Sequence, residues 1–250
     1  MNRYPETELD LSVLLKRSIR LHYLTLKHTI FFILAMTVVK YLSILLLALF
    51  PGHLVHIAVY VVAVLLIVYF FAAALLAAQR AFTDQPLSTL DAVKSVWKRI
   101  LPIYGTFLAY VIGAVVVYHL GNYLVIGVEK LLHESLDVSG ITLIISTAFL
   151  LVFVAMFYFS FPLSIIDEKP IHQAFYDSVL LTEKNKFGIL VLFLILGATL
   201  ILLIPGAMHE YFLTLYHLDA VFDFVVLCVA TPIYINLLLL LINDAKKQMQ

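Results

Sequence analysis

Lys40 is the residue whose position is hardest to square with its chemistry. It stands in Thr37-Val38-Val39-Lys40-Tyr41, eleven residues into an apolar run that opens at Thr29. A charge at the bilayer centre costs at least about 2.5–3.5 kcal/mol on insertion scales, so by default it faces the bundle interior and a partner. Tyr118, His119 and Asn122 in a later run, and Ser146 in the next, are the polar groups available to it. No run carries a carboxylate near its middle, where a proton or ion pathway usually has one. Two readings stand: a lysine on a polar pathway, or one hydrogen-bonded inside the bundle or snorkelling toward an interface.

Histidines form a second pattern. His53, His56, His119, His133, His209 and His217 fall on one side of the apolar runs with Glu129, Glu134, Asp137, Glu210, Asp219 and Asp223, while His22, His28 and His172 fall on the other. Imidazole with carboxylate suits zinc, and His53 and His56 are one helical turn apart. No His-Glu-x-x-His fingerprint accompanies them, so neither a metal nor a cofactor is expected. Gly-x-Ser-x-Gly, Gly-x-x-x-x-Gly-Lys and Gly-x-Gly-x-x-Gly are also missing, and the expectation is a protein that is not an enzyme. The single cysteine, Cys228, cannot form a disulfide within the chain and reads as a small buried side chain.

The elements that must position these residues follow from composition. Apolar residues make up 63% of the chain and charged ones 13%, with a mean hydropathy of +1.04. A soluble domain holds roughly 45–50% and about 25%, so the solvent for most of this chain is lipid. The net charge is zero, which gives no basic field for nucleic acid. A hydrocarbon core about 30 Å thick needs about 20 apolar residues in helix, and six such runs occur at 29–50, 54–79, 102–126, 141–166, 187–207 and 220–242. The first is too long for a signal-peptide core and lacks a cleavage pattern, so it reads as a retained span. Pro51-Gly52-His53 joins the first two as a hairpin.

Orientation follows from the basic residues. Fourteen Lys and Arg lie before the first run, between the second and third, between the fourth and fifth, and after the sixth; Lys130 alone lies on the other side. Both termini are therefore expected on the cytoplasmic face.

Three blocks, 11–35, 87–111 and 170–195, read alike: an amphipathic segment running into a span. Repeat-like units of about 9–80, 86–166 and 170–242 follow within one membrane domain. Asp84-Gln85-Pro86-Leu87 matches Glu168-Lys169-Pro170-Ile171, with Gly105 and Gly188 at similar distances beyond, and the proline suits the first turn of a helix. In the second block Leu90, Val93, Trp97, Ile100 and Leu101 form an apolar stripe against Asp91, Lys94, Ser95 and Lys98. Leu11, Leu14, Leu15 and Leu21 do so against Lys16, Arg17 and Arg20 in the first block, and Ile171, Ala174, Phe175, Ser178 and Leu181 against Gln173, Asp177 and Lys184 in the third. Such helices lie in the headgroup layer, either as anchoring elbows or as binders of anionic lipid through Lys16, Arg17, Arg20, Lys94, Lys98 and Arg99. Pro162, Pro205 and Pro232 lie within or near span ends, where they kink the helix or break it to form a substrate site.

An elbow before paired spans, together with Phe161-Pro162-Leu163 through Asp167 to Pro170, Ala174 and Ser178-Val179-Leu180-Leu181, resembles the YciC-type bacterial inner-membrane proteins. It also resembles the membrane domain in front of some glycerophosphodiester phosphodiesterases, whose catalytic domain has no counterpart here. The resemblance implies an all-α, six-span fold and an address in the bacterial inner membrane, and it transfers no active site. The expected role is to organise lipids, a membrane-protein partner or a second copy of the chain; the alternative is a small-molecule or ion transporter with a pathway near Lys40.

Overall fold

The computed structural model describes residues 11–50, 52–132, 139–184 and 216–248. Every regular element among them is a helix: α1 (Leu11–Arg20), α2 (His22–Leu49), α3 (His53–Phe82), α4 (Thr89–Lys98), α5 (Ile100–Leu132), α6 (Ser139–Phe157), α7 (Ser160–Ile166), α8 (Ile171–Lys184) and α9 (Tyr216–Gln248). Five stretches are long and apolar enough to cross a membrane: His22–Leu49, His53–Phe82, Ile100–Gly127, Ile144–Ile166 and Phe224–Asp244. The protein is thus an all-helical, multi-pass membrane protein. The run expected at 187–207 lies outside the described residues. At 1.5 Å per residue the 28 residues of α2 reach about 42 Å, so the helix tilts or extends beyond a core of about 30 Å.

The chain divides into two compact units, one holding α1 to α4 with α9, the other running from Leu101 to Lys186. In the first, α2 closes at Phe50, whose N–H donates to Leu46 O at 3.0 Å, and α3 opens at Gly52, whose carbonyl accepts from His56 N at 3.0 Å. Ile33, Met36 and Leu227 pack with Ile67, Phe70, Phe71 and a half-buried Cys228 to join α2, α3 and α9. Towards the basic end both α3 and α9 are enclosed on all sides, Ala72 to Ala78 in one and Tyr234 to Ile242 in the other. Alanine permits this in α3, because small side chains let neighbouring backbones approach.

The acid–proline junctions recur in conformation as well as sequence. Asp84 and Glu168 are the non-glycine residues with positive φ among those described, at 57° and 59°. Left-handed backbone ends a helix by turning the chain so that its last carbonyls find partners, and Gln85 N–H donates to Arg80 O at 3.0 Å. The prolines, however, do not occupy the first helical turn. Ser88 caps α4, its Oγ accepting from Asp91 N at 3.1 Å, which leaves Pro86 two residues outside. Pro170 is itself the cap of α8, its carbonyl accepting from Ala174 N at 2.9 Å. A proline lacks an N–H but keeps its carbonyl, so either place suits it.

In the second unit, glycines bring α5 against α6. A Cβ at Gly113 would stand 2.4 Å from Phe153 Cζ, and one at Gly121 would stand 2.8 Å from the Ser146 Cα. The fourth span is interrupted at Tyr158 and Phe159, between α6 and α7. Pro162 accounts for the break, because its ring cannot coexist with a helical carbonyl four residues earlier.

Candidate functional site

α2 buries a polar stripe at helical spacing: Thr25, Thr29, Thr37, Lys40 and Ser43. Thr29 and Thr37 donate to the carbonyls of Thr25 and Ile33, each at 2.9 Å, and Ser43 donates to Lys40 O at 2.6 Å. Lys40 lies on this stripe at 7% exposure, with its Nζ 5.4 Å from the centre of the Tyr41 ring. It belongs to the first unit, whereas Tyr118, His119, Asn122 and Ser146 belong to the second. Within that unit Ser146 Oγ donates to Asn122 Oδ1, and the Tyr118 and His119 rings stand 5.8 Å apart with His119 exposed.

The basic end of the first unit holds a polar junction that the sequence reading missed. Ser18 Oγ of α1 donates to Ile233 O at 2.8 Å, Asn236 Nδ2 of α9 donates to Ser18 O at 2.8 Å, and Thr25 Oγ1 of α2 donates to Asn236 Oδ1. One amide thus ties three helices, and all three side chains are fully buried. A lone amide in the run 233–242 was the available signal, because a polar group buried in an apolar helix requires partners.

The three short amphipathic helices present their charges differently. Lys16 and Arg20 of α1 are exposed and Arg17 is half-buried. In α4 the residues turned to the protein are small, Ala92 and Val96, and Tyr69 of α3 donates to Val93 O at 2.9 Å. The residues turned away are large and apolar: Leu90 at 60% exposure and Trp97 at 66%. Lys94 and Lys98 are exposed beside them, and Arg99 is half-buried. The stripe expected to include Ile100 and Leu101 is cut short, since these two residues open α5. An outward apolar face flanked by lysines, with the Trp97 ring edge-on to Tyr69 at 6.4 Å, is what an aqueous surface does not stabilise and a membrane interface does.

α8 buries Ala174, Ser178 and Leu181 and engages the broken span. The freed Phe159 N–H donates to Ser178 Oγ at 3.0 Å, and Ser178 Oγ donates to Met156 O at 3.0 Å. Thr182 Oγ1 donates to Ala155 O at 3.1 Å. Lys169 pairs with Asp177 across the first turns of the helix. Ser178 is visible in the sequence as a stripe residue, but its role depends on where Pro162 breaks the span.

Among the described residues no three His, Cys, Asp or Glu side chains gather into a set able to hold a metal ion. His133 and His209, with Glu134, Asp137 and Glu210, lie outside those residues. Comparison with protein-family models, curated proteins and solved structures returns no match for this chain.

Proposed function

We propose that the protein organises lipid, and through it partner membrane proteins or further copies of itself, at the cytoplasmic face of a bacterial inner membrane. The observation that carries this reading is the outward face of α4, where Leu90 and Trp97 stand exposed beside Lys94 and Lys98. Apolar residues seat the helix at the hydrocarbon boundary, and each lysine near an anionic surface adds about 1 kcal/mol of attraction. Lys16 and Arg20 of α1 supply further positive charge.

In this account six spans cross the bilayer, the fifth at 187–207, with both termini on the basic, cytoplasmic side. The chain is a threefold repeat of amphipathic elbow and two spans. The left-handed acids at Asp84 and Glu168 support the repeat, since a shared backbone conformation at matched positions is more specific than shared hydropathy. The architecture suits the YciC-like resemblance. A second reading, a solute pathway past Lys40, draws support from its burial on the inner stripe of α2.

The test uses the chain's single tryptophan, reconstituted in vesicles containing either a brominated anionic or a brominated zwitterionic phospholipid. Preferential quenching of Trp97 by the anionic lipid, abolished in Lys94→Gln/Lys98→Gln, is the expected result. Equal quenching by the two lipids in the wild type rejects lipid selection at α4. Solute uptake lost in Lys40→Ala would favour the pathway instead.

A further inference from the structure

The three short amphipathic helices bury side chains in the same pattern. Leu14 and Ser18 of α1, Ala92 and Val96 of α4, and Ala174 and Ser178 of α8 are all buried, and each pair is four residues apart. Residues so spaced lie on one face of a helix, one turn above the other.

What that face meets also recurs. α4 follows α3 after residues 83–88 and accepts a hydrogen bond at Val93 O from Tyr69 of α3 at 2.9 Å. α8 follows α7 after residues 167–170 and folds back on the same span, Ser178 Oγ donating to Met156 O at 3.0 Å. Each rests on the span that precedes it in the chain. α1 has no described span before it, yet it rests on one too: Ser18 Oγ donates to Ile233 O of α9 at 2.8 Å, 215 residues away in sequence.

The two serine contacts agree in register. Met156 stands ten residues before its span ends at Ile166, and Ile233 stands eleven residues before its span ends at Asp244. Ser178 and Ser18 are each the second member of the buried pair on their helix. In place of a short loop, the Asn236 amide ties α1 to α9, donating to Ser18 O at 2.8 Å and accepting from Thr25 Oγ1. Buried polar groups have to be paired, so these bonds hold α1 at one register on α9.

We infer that α1 is a clasp. It takes on α9 the seat that α4 and α8 take on the spans before them, and so joins the last repeat to the first without a covalent link. The inference rests on the threefold repeat proposed above and adds to it what α1 does.

A circularly permuted chain tests the clasp. The chain starts at Pro86 and ends at Gln85, within the α3–α4 connection, so that every span keeps its orientation, and its natural ends are joined. Direct fusion places twelve residues, 249–250 and 1–10, between α9 and α1. A second version keeps six, the length of the connection between α3 and α4. Both should insert and melt close to the wild type. A chain that folds with twelve residues but not with six overturns the equivalence of the seats.

If neither permuted chain folds, hydrogen exchange on the unpermuted protein decides. A clasped α1 is protected to the degree of α4 and α8, and Ser18→Ala should speed its exchange about fivefold, as for one lost hydrogen bond, while leaving α4 unchanged. An α1 that exchanges like a loose surface helix, or whose protection is indifferent to Ser18→Ala, overturns the clasp itself. An α1 that is protected and yet rejects the six-residue joint overturns the inference on the other ground, because the contact then stands and the repeat behind it fails.

Discussion

α4 and α8 enter their helices by the same device and then do different things. Each follows a span that ends in a left-handed acid, Asp84 or Glu168, with a proline two residues on. α4 turns small side chains to α3 and makes one side-chain hydrogen bond to it, from Tyr69. α8 turns hydroxyls inward, and Ser178 and Thr182 satisfy the backbone groups that the break before Pro162 sets free. The difference teaches that α8 is bound into its unit by an obligation the backbone imposes. Among the described residues no comparable hydrogen bonds hold α4, and its apolar face stays exposed.

Ser178→Val should break the comparison most severely. It strands the buried Phe159 N–H, at about 1–3 kcal/mol, while Met156 O keeps Thr182 Oγ1 at 3.2 Å, and thermal unfolding in detergent should register the loss. Thr182→Val should cost less, because Met156 O retains Ser178 and the Ala155 carbonyl that loses its donor faces a half-buried position rather than a fully buried one. If Ser178→Val melts like the wild type, α8 is no more obligatory than α4.

The next largest effect concerns lipid, not folding. Lys94→Gln/Lys98→Gln should weaken the preference of α4 for anionic vesicles by about 2 kcal/mol, from about 1 kcal/mol per lysine. Its melting temperature should hardly move, since exposed substitutions usually stay within about 0.5 kcal/mol. Tyr69→Phe removes the hydrogen bond from α3 to Val93 O of α4 and should lower stability by about 1 kcal/mol, read from the same melts.

The smallest effect sharpens what the two junctions share. Asp84→Gly and Glu168→Gly should each change stability little, because the relief of left-handed strain, about 1–2 kcal/mol, is offset by glycine's added freedom when unfolded, about 0.5–1 kcal/mol. Asp84→Val should destabilise, since a β-branched residue tolerates that conformation poorly.

The spans were legible because hydropathy over twenty residues is a strong signal, and α2, α3, α5 and α9 appear close to where it put them. The break at Tyr158 and Phe159 was readable only as a kink near Pro162, since a proline tells where a carbonyl is lost but not what replaces it. Lys40 was conspicuous, and its burial on the inner stripe of α2 follows its register with Thr37 and Ser43. Asn236 passed unnoticed in a leucine-rich run, because the amide's importance lies in reaching Ser18 and Thr25, more than two hundred residues away in sequence. Pro86, expected in the first turn of its helix, stands three residues before the start of α4 at Thr89, because Ser88 supplies the cap.

Trp97 tests the central claim most directly, since no second tryptophan confuses its signal. In vesicles of phospholipids brominated at successive acyl positions, quenching should be strongest from bromines nearest the headgroup and should fade with depth, as for a helix seated at the interface. Strongest quenching from the deepest bromines, or none from any, would contradict the account.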